Sequence, residues 1–378
     1  MRVLIAPDDF TGTLTASQAA EAIANGWRSQ APLDELTLMP LSDGGPGFVA
    51  CITAATDAQI VPVGVRGPMG DTAIGMVAMV DSAAGPTAYV ESAHGCGLAL
   101  THPDRRDASV ATSFGVGQLI GAAIDAGARS IVVGLGGTAS TDGGAGMLAA
   151  LGATAQGGSG DAVALDAGGA CLARVARIDL APARARLADV DLVVATDVDS
   201  PLLGARGAAR GFAPQKGADA SAVDELEAAL TALSSALGRG RDGKDPAVAL
   251  GAGAGGGLGY ALMHLGARRM PGIATVMEAV GLDDAIAGTD LVITGEGCFD
   301  WQSLRGKVVT GVAAAAMRQA RPVVVIAGQV EVGKREYVAL GIAEAHAAGE
   351  PGQVPATPAE AAEALARRAA RVADQWSR

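Results

Sequence analysis

Aromatic side chains are scarce in this 378-residue chain: 3 Trp, 3 Tyr and 5 Phe make up 3% of it, too few rings for a platform that stacks single-stranded nucleic acid. Cations are in deficit as well. Against 40 Asp and Glu stand 28 Lys and Arg, a net charge of -12 that repels polyanions and anionic lipid, so neither nucleic acid nor membrane is an expected partner. Cys51, Cys96, Cys171 and Cys298 are scattered without a CxxC pair, and His94, His102, His264 and His346 show no metal-ligand spacing. This argues against zinc and a disulfide framework and fits a reducing, cytoplasmic setting. No Ser lies in GxSxG, no Lys follows a Gly-rich loop as in Walker A, and no GxGxxG has the dinucleotide placement, which disfavours hydrolase and oxidoreductase readings. The opening MRVLIAPDDF has an apolar run only from Val3 to Ala6, too short for a signal or a membrane span.

What is abundant is glycine, 54 residues, together with aliphatic side chains, a composition suited to short parallel strands and Gly-rich turns. The length exceeds that of a usual single core and favours two α/β domains. Arg2 to Ala6 reads as a strand, 7–12 as a loop and Ala16 to Arg28 as a helix, with Thr15 and Gln18 in capping-box spacing. A second strand, Glu35 to Met39, runs through Asp43-Gly44-Gly45-Pro46-Gly47 into a helix near Phe48 to Ala55. From Val61 to Glu91 the pattern is strand-like with no helix between, so a different layer is expected to start there. Further strands are expected at 130–135, 191–196, 290–294 and 322–327. Helices are expected at 112–126, 145–151, 220–237, 257–265, 306–319 and 358–376.

The segment from Gly134 to Gly144 joins a strand to a helix through a Gly-rich turn, an arrangement that presents amide N–H groups to an anion. Thr138, Ser140 and Thr141 add hydroxyls; the alternative is a plain tight turn. A second run, Gly251 to Gly259, either faces phosphate or allows close helix packing. Acids recur at strand ends: Asp8 and Asp9, Asp43, Asp197 and Asp199, then Glu296 and Asp300. Singly each suits a solvated turn. Gathered at one sheet edge they supply oxygen ligands for Mg²⁺ and a base for an attacking hydroxyl, as phosphoryl transfer requires. Lys216 and Lys307 are the cations best placed to meet phosphate oxygens, unless they are surface lysines.

In this order the segments resemble the bacterial glycerate kinase family. The carriers are Ala6-Pro7-Asp8 with Phe10 and Gly12; Asp43-Gly44-Gly45 with Gly47; Thr112-Ser113 with Gly115-Val116-Gly117; and Gly134 to Gly146. Asp197-Val198 with Pro201-Leu202-Leu203-Gly204, Pro214-Gln215-Lys216-Gly217, and Ile293-Thr294-Gly295-Glu296-Gly297 with Asp300, Gln302, Gly306 and Lys307 complete the set. The resemblance implies an ATP- and Mg²⁺-dependent kinase that turns D-glycerate into phosphoglycerate, usually 2-phosphoglycerate, and acts as a monomer or homodimer. It implies a two-domain α/β fold: a Rossmann-like domain built from both chain ends (1–65 and 285–378) and an inserted α/β domain (66–284), with the active site in the cleft. Expected catalytic residues are Asp8, Asp43, Asp197 and Lys307, with Asp197 or Asp43 orienting the acceptor hydroxyl. Substrate and phosphate would meet Gly44, Gly45, Gly136, Gly137, Thr138, Thr141, Asp142, Gly143 and Lys216, and the metal would meet Glu296 and Asp300.

The chain departs from the family pattern at three places. Where the family usually reads APDSFKG it has Asp9 and Thr11, where DGGEG it has Pro46, and where GEGRID it has Cys298 and Phe299. Two cations and one acid are lost and one acid is gained, which weakens the grip on an acceptor carboxylate and leaves another hydroxy acid or a small polyol as alternative substrate. A catalytically silent paralogue is the remaining alternative. Retention of Asp8, Asp43, Asp197, Glu296, Asp300 and Lys307 speaks against it.

Overall fold

The computed structural model describes residues 1–10, 12–349 and 355–377; Thr11, one of the departures, lies outside the described residues. The chain forms two compact α/β units. One comprises 1–43, 50–56 and 273–378, and the other 44–49 and 57–272. The first is thus built from both chain ends.

Its sheet is wholly parallel, with strand order Ile342–Ala347, Val323–Ala327, Leu291–Thr294, Arg2–Ile5, Glu35–Leu38. Val323–Ala327 reads VVVIA and every residue is buried, as expected of a central strand covered by helices on both faces. Helix Ala16–Gln30 opens with the expected capping box: Thr15 Oγ1 accepts the Gln18 N–H at 3.2 Å and the Gln18 side chain accepts the Thr15 N–H at 3.0 Å. Its face Ile23, Ala24 and Trp27 packs with Leu365, Ala369 and Val372 of the C-terminal helix Pro358–Trp376. Gly26 makes that approach possible, because a Cβ there would stand 2.0 Å from the Ala366 carbonyl oxygen.

The second unit carries a six-stranded mixed sheet. Arg268–Met270, Asp191–Ala195, Ser130–Gly134 and Thr87–Glu91 run parallel, and Thr72–Val80 and Gln59–Arg66 continue it as an antiparallel pair. Helices Phe114–Asp125, Ala220–Leu237 and Ala254–His264 pack around its apolar core.

The sequence put the changes of unit at 65/66 and 284/285, whereas the compact units change at 56/57 and 272/273. The physical reason for the first shift is pairing, since Gln59–Arg66 matches Thr72–Val80 residue for residue along its full length. The reason for the second is packing. Helix Gly272–Ala279 lies so close to helix Val308–Arg318 that a Cβ at Gly311 would stand 2.9 Å from Ile273.

Candidate active site

In the first unit the sheet grows in opposite directions from the neighbouring strands Arg2–Ile5 and Leu291–Thr294, and open parallel sheets bind ligands beyond such a switch point. Both strands end there in acids. The Asp8 N–H donates to the Gly295 carbonyl at 2.8 Å, and Gly295 must lack a side chain because a Cβ would lie 1.9 Å from the Ile326 oxygen. Asp8 and the neighbouring Glu296 are both buried. Burial pushes the Asp8 carboxyl well above the usual range, and the charges of Asp43, Asp9 and Glu296 push it further. Glu296 is raised to about 7, chiefly by burial and then by Asp300 and Asp9, against the pull of Ser303 and Lys307.

The structure therefore brings Asp8, Asp43, Glu296, Asp300 and Lys307 into one electrostatic group. Asp300 Oδ1 accepts the Gln302 N–H at 2.7 Å and the Ser303 N–H at 3.3 Å, which commits that oxygen to the local turn. Lys307 is the residue that precedes helix Val308–Arg318. Among the described residues no three His, Cys, Asp or Glu side chains converge closely enough to hold a metal ion by themselves. A Mg²⁺ carried in by phosphates and keeping its waters needs only one or two carboxylates. Glu296 Oε1, buried and without a hydrogen-bond partner among the described residues, fits that requirement.

The second unit corrects the expected phosphate cradle. Asp142 is fully buried: its Oδ2 accepts the Ser113 N–H and O–H, both at 2.8 Å, and the Gly146 N–H at 3.2 Å, while Oδ1 accepts the Gly144 N–H at 3.1 Å. The start of helix Ala145–Ala150 is thus filled by an internal carboxylate rather than open to a ligand. Thr141 is also fully buried, and a Cβ at Gly143 would stand 2.3 Å from Leu233, so Thr141, Asp142 and Gly143 face the interior. The Gly44-Gly45 turn has the same arrangement. Buried Glu91 accepts the Gly47 and Val49 N–H groups, each at 3.2 Å, where helix Phe48–Ala55 begins. Gly44 and Gly45 instead pack on backbone: a Cβ at Gly44 would be 2.9 Å from the Ala195 oxygen, and one at Gly136 would be 2.5 Å from Gly45 Cα. Pro46 lies against Gly137.

Gly136, Gly137, Thr138 and Lys216 do come together, and they line a pocket of about 150 Å³ with the stretch Gly253 to Gly256. That stretch was left open in the sequence between ligand contact and packing. Its signal was the density of glycine, and Gly255, Gly256 and Gly257 all adopt left-handed φ of 63°, 72° and 95°. Asp197 follows strand Asp191–Ala195, and its Oδ1 accepts the Gly272 N–H at 3.0 Å.

Clustered acids at a sheet switch point in one α/β unit and a lysine-lined pocket in the other define the class, an α/β phosphotransferase with a hydroxyl acceptor. The particular family follows from comparison with known proteins: the chain belongs to the glycerate kinase family, whose model matches residues 3–377. It is 40% identical to a glycerate kinase of Bacillus subtilis over 99% of this chain and 97% of the relative. To a glycerate 2-kinase of Escherichia coli it is 40% identical, over 87% of this chain and 86% of that one. A crystal structure of a putative glycerate kinase 2 from Salmonella typhimurium superposes with a TM-score of 0.82 at 36% identity, covering 99% and 98% of the two chains. No helix among the described residues is long and apolar enough to cross a membrane.

Proposed function

We propose that the protein transfers the γ-phosphoryl group of ATP to D-glycerate in the cytoplasm, giving 2-phosphoglycerate and ADP. The observation that carries this reading is the Asp8, Asp43 and Glu296 group at the switch point, where burial and the neighbouring acids raise the proton affinity of Asp8. Asp8 takes the proton of the acceptor hydroxyl; the oxygen forms its bond to the γ-phosphorus as the bond to the β,γ-bridging oxygen breaks, and ADP leaves with that electron pair. Asp43 holds the hydroxyl toward Asp8, and Lys307 offsets charge on the transferred group. Bound Mg²⁺, with Glu296 and Asp300 as its protein ligands, would neutralise phosphate oxygens. Asp197 is a further carboxylate for this chemistry.

The acceptor is the part that Cys298 modifies. Burial raises the Cys298 thiol and the charges of Glu331, Asp300 and Glu296 raise it further, so residue 298 faces acids and supplies no guanidinium to grip a carboxylate in two parallel bonds. A coupled ADP-release assay with D-glycerate, other hydroxy acids and neutral polyols, run on wild type and Cys298→Arg, tests both points. Expected is turnover of D-glycerate by wild type and a higher kcat/KM for it in the variant. No ADP release with any acceptor refutes the kinase, and release only with polyols moves the acceptor to that class.

A further inference from the structure

Lys216 is 3% exposed, yet its ammonium has only neutral partners among the described residues. It donates to Thr138 Oγ1 at 3.2 Å and to the Ser140 carbonyl at 2.6 Å. The acid that acts on it, Asp142, spends its oxygens on Ser113, Gly144 and Gly146. A buried charge without a counter-charge is costly, and such charges normally find a partner.

This ammonium lines a pocket in which the glycine-rich backbone of 253–256 forms one wall, with the side chains of Leu98, Thr138, Phe212 and Gln215 elsewhere on the lining. A Cβ at Gly256 would stand 2.0 Å from the Ser140 oxygen and 3.0 Å from Lys216 Nζ, so only glycine lets that wall close on the amine. At about 150 Å³ the space is smaller than the ~300 Å³ at which drug-sized pockets begin. That volume suits a tetrahedral oxyanion.

We propose that this pocket is an oxyanion subsite for one phosphate group, with Lys216 Nζ as its counter-charge and the 136–138 and 253–256 backbone on its lining. That an oxyanion binds is independent of the acceptor assigned above; that it is the phosphate of a nucleotide or of the phosphorylated product rests on the kinase reading.

Two groups face the amine electrostatically, Cys96 and Asp142. Burial holds the Cys96 thiol at about 12, so it stays neutral, and the Lys216 amine, lowered to about 8 by burial, loses its charge in an accessible range.

The test is calorimetric titration and thermal melting of the whole protein with sodium sulfate, inorganic phosphate, ADP and 2-phosphoglycerate, at ionic strength matched with chloride. Sulfate is the pH probe because its own charge is constant. Wild type is expected to bind sulfate and phosphate, with sulfate weakening steadily from pH 7 to 10. Lys216→Met is expected to bind both roughly 10- to 100-fold more weakly, the loss of a charge-assisted bond, while melting without ligand at or above wild type. A Lys216-dependent response to ADP but not to 2-phosphoglycerate assigns the nucleotide as source, and the converse assigns the product. No sulfate or phosphate binding by wild type, a flat pH profile, or unchanged affinity in Lys216→Met overturns the subsite. The wild-type profile decides the matter even if the variant fails to fold. Binding that survives alongside a failed ADP-release assay retains the subsite and removes the kinase.

Discussion

Asp142 accepts both the N–H and the O–H of Ser113 on one carboxylate oxygen, each at 2.8 Å, and so ties the Gly-rich loop to the start of helix Phe114–Asp125. Ser113 Oγ in turn accepts the Met147 N–H at 3.0 Å. A carboxylate that the sequence offered as a phosphate contact is instead the internal anion around which the loop is folded.

Asp142→Asn therefore costs stability. One carboxylate oxygen becomes an NH₂ group facing donors, and loss of a charge-assisted bond costs about 1.5–3 kcal/mol. Chemical denaturation of variant and wild type measures it, with kcat of the folded variant expected to stay near wild type. Wild-type stability with abolished phosphate binding would return Asp142 to the ligand site.

The opposite pattern is expected of Asp8, Asp43 and Asp197. Changing each to Asn keeps size and removes a proton acceptor or a charge, lowering kcat by about 10²–10⁴ at saturating Mg-ATP. Asp8→Asn should also melt at or above wild type, because burial and the charges of Asp43, Asp9 and Glu296 disfavour its ionised form. Wild-type kcat in all three variants would remove these assignments.

A pH effect on stability is expected at His264. The ring is 2% exposed, packs edge-on to Tyr260 at 4.6 Å and has no hydrogen-bond partner on either nitrogen among the described residues. Burial, with help from Arg184, lowers it from 6.5 to about 4. Between those values the unfolded chain binds the extra proton, so the native state loses stability as pH falls from about 6.5 to about 4 and keeps it above. His264→Phe retains a ring and removes the titration. Its Tm should fall less steeply than that of wild type between pH 7 and 4.5, and parallel curves would exclude the effect.

The sequence by itself determined the parallel strands, their helices and the acids at strand ends. Runs such as VVVIA at 323–327 and the Thr15 and Gln18 cap write local structure directly, because strand burial and helix capping depend on residues a few positions apart. Asp8 and Glu296 were legible one by one as residues that follow strands. That they stand side by side was decided only by the pairing of Arg2–Ile5 with Leu291–Thr294, 288 positions apart in sequence between Ile5 and Ile293. Likewise, the Gly-rich turn at 134–144 was the foremost phosphate candidate in sequence, with the run at 251–259 left between ligand contact and packing. Only the tertiary structure brings Glu91 to the start of helix Phe48–Ala55, Asp142 to that of helix Ala145–Ala150 and Lys216 beside the run at 253–256, because an amide can satisfy just one anion and which one arrives is a matter of through-space packing.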